Sequence, residues 1–154
     1  MIPEAAIFYA LALNETALHS DKNYAKQLKA GAILEKILAK LPDHPGALHY
    51  LIHTYDYPPL AQRGLDAANR YAEVAPAAQH AQHMPSHTYS MLGMWTQSVA
   101  SNTKSRAIAQ EQLPSSGPGR HIQASHTIWT LRNTPCCKWD RRTLQSSYAT
   151  TATL

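Results

Sequence analysis

Identical residues recur 34 positions apart through the middle of the chain: His49 and His83, His53 and His87, Tyr55 and Tyr89, Pro42 and Pro76. A period of roughly 20–50 residues is the signature of one supersecondary unit repeated and stacked on its neighbour. Such a unit cannot bury its own apolar face, so the period demands side-by-side stacking rather than a core closed within one unit. Two clear units follow, 45–78 and 79–112, with a degenerate one before them and a damaged one after.

Strand-like alternation is absent, and almost every apolar run has helical spacing. A first helix is predicted over about residues 3–18, opened by Pro3 and Glu4, with Ile7, Phe8 and Leu11 on one face. A second runs from an N-cap at Ser20-Asp21 to about residue 41 and buries Leu28, Ile33, Leu34, Ile37, Leu38 and Leu41. A third, about 46–57, buries Leu48, Leu51, Ile52 and Tyr55; a fourth, about 60–75, uses Leu65, Ala68, Ala72 and Val74. A fifth spans about 77–92 across Pro85, which must kink or break it, and a sixth covers about 95–112. Tyr71 and Trp95 are expected in the core, and Lys104 and Arg106 on a solvated face. The chain is therefore all-α.

Composition agrees with a folded domain. Of 154 residues, 44% are apolar and 16% charged, which excludes a disordered chain. The net charge is +4, but no basic run is longer than Arg141-Arg142, so no nucleic-acid partner is expected. No run of 18 apolar residues occurs, so no membrane span is expected. No secretion signal is recognisable, which gives a cytoplasmic expectation for the chain as it stands. Cys136 and Cys137 have no second pair, so neither a disulfide framework nor a zinc ribbon is supported.

The strings HPGALHYLIHTYD at 44–56 and AP-x-x-x-HAQHMPSH at 75–87, with LGMW at 92–95, resemble a group of bacterial tetratricopeptide-repeat proteins. The resemblance covers about residues 3–126 and implies helix–turn–helix repeats stacked in a right-handed superhelix, with no firm activity attached. It also implies that positions 2, 5, 9 and 12 of each unit's first helix line a concave groove. His80 then falls at position 2, His49 and His83 at 5, His53 and His87 at 9, and Asp56 at 12, with Tyr50, Tyr55 and Ser90 also in the groove. Members extend before the position of Met1 and beyond that of His126, so the resemblance implies a fragment of a longer protein.

Independently of that register, residues four apart share a helix face, so His49 points with His53 and His83 with His87, while His80 lies one turn earlier. Neighbouring helices lie about 8–10 Å apart, close enough for these imidazoles to meet. Zinc takes three or four N or O donors, and histidines at i, i+4 supply two. Zn²⁺ or another divalent transition metal is the candidate cofactor for such a set, with Asp56 the nearest carboxylate in sequence to orient a ring. The alternative is a set of half-buried polar histidines, hydrogen-bonded to tyrosine hydroxyls and duplicated with the repeat. His19 and His121 extend the series only arithmetically, His44 reads as a helix cap, and His126 opens the next segment.

Two functions remain open. The first is an interaction scaffold whose His-lined groove captures an extended peptide or protein partner. The second is a metal-binding protein or metal-dependent hydrolase on His49, His53, His83 and His87, with Asp56 or Glu15 as candidate general base. Exposed apolar repeat ends suggest self-association. Residues 127–154 lose the apolar period, interrupt any helix at Thr134-Pro135 and end Ser/Thr-rich, as a shift of reading frame near residue 127 would produce. This tail is expected to be partly disordered and, beyond Asp140, dispensable.

Overall fold

A computed structural model of the chain describes residues 2–18 and 20–112. The expectations for His19, His121, His126, the cysteines and the 127–154 tail lie outside those residues. Among the described residues all regular structure is helical: α1 (Pro3–Glu15), α2 (Ala25–Leu38), α3 (Pro45–Thr54), α4 (Ala61–Val74), α5 (Gln79–His83), α6 (Pro85–Met91) and α7 (Trp95–Gln112). Met1–Ser105 form one compact unit, and a second begins at Arg106, within α7. None of these helices is long and apolar enough to cross a membrane.

Helices adjacent in sequence pack on one another, α1 on α2, α2 on α3 and α3 on α4, and α4 also packs on α6 beyond the short α5. The core joins Ile7, Ala10, Leu34, Leu48, Ile52, Tyr55, Ala68, Tyr71 and Met84. Tyr55 is fully buried although it carries a hydroxyl, because that group donates to Glu35 Oε1 at 2.6 Å. Arg63 donates to both oxygens of the same carboxylate, at 2.9 and 3.1 Å, and its guanidinium lies over the Tyr55 ring. One buried phenol thus ties α2, α3 and α4 together.

Several boundaries differ from the sequence expectation. The first helix stops at Glu15, where the Thr16 hydroxyl donates back to the Ala12 carbonyl at 2.7 Å. The second begins four residues after Asp21, because Tyr24 adopts a left-handed backbone with φ +53°, which no helix can include. The N-cap position is thus Tyr24 rather than Ser20-Asp21, although Asp21 accepts from the Asn23 and Ala25 N–H groups at 2.9 and 3.1 Å. Leu41 lies beyond the end of α2 and is exposed. Phe8 is 65% exposed, since α1 turns Ala6, Ile7 and Ala10 inward instead.

Pro85 breaks the fifth helix into α5 and α6. Proline has no N–H to give to the carbonyl four residues back, so the helix cannot run through it. The polar backbone here is served from α7. Ser105 donates to the Gln79 carbonyl at 2.9 Å, and Ser101 donates to the Gln82 carbonyl. Ser98, Asn102 and Ser105 are buried on this contact face of α7, which is polar rather than apolar. Trp95, expected in the core, is therefore 53% exposed at the first residue of α7, whereas Tyr71 is buried as expected. Lys104 and Arg106 are exposed.

Candidate metal centre

His44 opens α3, its Nδ1 accepting from the Ala47 N–H at 3.3 Å, and Pro45 occupies the first turn where no N–H is missed. One and two turns on, α3 presents His49 and His53. From the neighbouring unit α5 presents His80 and His83, and α6 presents His87. The five imidazoles close a ring. Centroid separations run 4.8 Å from His49 to His53, 5.7 Å to His87, 5.1 Å to His83, 6.2 Å to His80, and 5.0 Å back to His49.

Three of the five bring their donor nitrogens close together. The Nε2 atom of His49 is 3.1 Å from that of His53 and 3.1 Å from that of His80, and the three ligand atoms all lie within 4.8 Å of one another. A neutral imidazole nitrogen carries either one N–H or one lone pair, so His49 Nε2 cannot make a full hydrogen bond to both neighbours. A shared cation would resolve this. Two donors at about 2.05 Å from a tetrahedral zinc stand about 3.3 Å apart, close to what His49 presents.

Four of the imidazoles, those of His49, His53, His80 and His83, are shifted toward the neutral form that ligation requires. Burial, reinforced by the His53, His80 and His87 rings, lowers His49 to about 4. His53, His80 and His83 are lowered as well, in each case chiefly by burial; Asp56 and Glu15 oppose the shift at His53, and Asn102 opposes it at His83. Two tyrosine rings lie nearly parallel to His49: Tyr71 at 5.6 Å and Tyr50 at 5.2 Å between centroids.

The other two histidines are held from behind. His83 Nδ1 lies 2.7 Å from Oδ1 of Asn102, whose amide nitrogen donates to the Ser98 carbonyl at 3.1 Å. That second bond fixes which end of the amide faces His83, so Nδ1–H is the donor and Nε2 carries the lone pair. His87 Nδ1 donates in the same way to Asp56 Oδ2 at 2.8 Å. The other oxygen of Asp56, Oδ1, is buried without a hydrogen-bond partner. A histidine whose Nδ1–H is engaged by a carboxylate or carbonyl is the arrangement metal-ligating histidines adopt.

All five histidines expected at the metal site, His49, His53, His80, His83 and His87, lie together in this ring. By donor distance the close set is His49, His53 and His80. Asp56 is committed to orienting His87. Glu15 stands exposed at the end of α1 and reaches His53 only as a nearby charge. Tyr50 flanks His49, whereas Tyr55 lies in the core and Ser90 pairs with Ser98 at 2.9 Å between hydroxyls. Asn102 was not among the expected site residues. Its signal is a polar residue where the preceding unit has buried Ala68, 34 positions earlier. Comparison with protein-family models, curated proteins and solved structures finds no match for this chain.

Proposed function

We propose that this protein is a helical-repeat protein that binds a divalent transition metal, with His49, His53 and His80 as the first ligands. The observation that carries this is the pair of 3.1 Å contacts made by one nitrogen, His49 Nε2. The donor set is all imidazole, without thiolate, which suits Zn²⁺, Cu²⁺ or Ni²⁺ and disfavours Mg²⁺ and Ca²⁺. Three protein ligands leave a tetrahedral ion one open position, the arrangement that would let a bound water be acidified for hydrolysis.

A tetratricopeptide-like array is the architecture we propose around it. Helix starts support this: α3 and α5 begin 34 residues apart, at Pro45 and Gln79, and so do α4 and α7, at Ala61 and Trp95. Peptide capture on the same face is the second reading, favoured by His80, which remains exposed, and by the half-buried Tyr50 ring beside His49.

Metal analysis of the purified protein, before and after chelation, tests the proposal. We expect at least one equivalent of Zn²⁺, Ni²⁺ or Cu²⁺ to rebind, and His49→Ala to lose it. A metal-free protein that takes up none of these ions at neutral pH would overturn the metal reading and leave peptide capture.

A further inference from the structure

Five imidazoles exceed what one tetrahedral ion takes up. His83 and His87 stand apart from the close trio and are the two whose Nδ1 atoms are fixed by Asn102 and Asp56. On the reading of the ring as a metal centre, we infer that His83 and His87 form a second divalent-cation site adjoining the first, so that the loaded protein holds two ions.

Three observations support a separate site. In both side chains Nδ1 is spent on a fixed acceptor, so Nε2 is the nitrogen left for a ligand. Asn102 is buried against His83 at the position that Ala68 fills in the preceding unit, so the second unit alone holds an acceptor for the imidazole there. Asp56 is, among the described residues, the one carboxylate hydrogen-bonded to the ring, and its Oδ1 is buried without a donor. Negative charge there offsets part of the cost of a second dication beside the first. The first ion would have three protein donors and the second only two, with water completing the second. The second is therefore the weaker site and fills later.

Co²⁺ reports coordination by its visible absorption and tests this directly, with isothermal titration for stoichiometry. The full chain should take up two equivalents, the second at least tenfold weaker than the first. His83→Ala combined with His87→Ala should bind one ion with the affinity of the first. Asn102→Ala keeps every imidazole and guards against a folding failure in the double variant; it should weaken only the second ion, by about 10–100-fold. A single equivalent in the unaltered protein overturns the second site while leaving the first intact. Loss of all binding in the double variant, with helicity unchanged by circular dichroism, shows one five-histidine centre and also overturns it. No Co²⁺ bound at all removes this inference and the metal reading together.

Discussion

The hydroxyl of Tyr55 fills the space beside Gly31 that a side chain would need: a Cβ on Gly31 would lie 2.1 Å from the oxygen and 2.4 Å from the ring carbon bearing it. The phenol cannot retreat, being buried and bonded to Glu35. Gly31→Ala should therefore destabilise the fold by about 1–3 kcal/mol, the usual cost of overpacking, despite the better helix propensity of alanine. Combining it with Tyr55→Leu should restore less than is lost, since the Glu35 contact goes too. A urea midpoint for Gly31→Ala equal to that of the parent would contradict this packing.

The metal-free protein should lose stability as it is acidified. His49, His53, His80 and His83 all have a lower proton affinity in the folded chain than in the unfolded one. As pH falls below about 6.5, the unfolded chain takes up protons first, so unfolding becomes easier. The loss continues down to about pH 4, where folded His49 also titrates. Urea midpoints at pH 7.5, 6 and 4.5, with chelator present, should fall in that order; a flat series would be the wrong result.

Bound metal should reverse part of this. At a free ion concentration a hundredfold above the dissociation constant, linkage adds about 2.7 kcal/mol. The melting temperature at pH 7.5 should rise with Zn²⁺ in the unaltered protein and in His44→Ala, but not in His49→Ala. His44 is the control because its Nδ1 caps α3 rather than joining the ring. An equal rise in His49→Ala would mean that the ion binds elsewhere.

The serine contacts of α7 give a prediction about the fold alone. Ser105→Ala removes the donor to the Gln79 carbonyl and should cost about 0.5–1.5 kcal/mol. Ser105→Leu, at a position with no exposed surface, should cost more through overpacking. Chemical denaturation of both variants checks the order, and a more stable Leu variant would show that this face of α7 tolerates apolar packing.

Much of this was legible before any coordinates. Helical periodicity located the helices because each buries an apolar stripe, and the 34-residue spacing brought His49, His53, His83 and His87 together. What stayed hidden depended on contacts that periodicity does not encode. The left-handed Tyr24 delays α2 and is held against Tyr57, 5.2 Å away between rings. The polar face of α7 breaks the rule that buried helix faces are apolar, so it concealed Asn102 and misplaced Trp95. His80 joins the close trio through a distance across two helices, which spacing within one helix cannot supply.

The ring is built from two units that are alike in some positions and different in others, and the differences limit how it could have arisen. Duplication of an ancestral unit accounts for His49 with His83 and His53 with His87 in one event. It does not account for His80, which stands where the first unit has Gly46, or for Asn102, which stands where it has Ala68. Asp56 likewise has Ser90 as its counterpart. A third unit identical to the second would therefore bring three more histidines but find Ser90 in place of the carboxylate that steadies His87. Lengthening the lineage by repeat addition alone would add imidazoles without adding another finished centre.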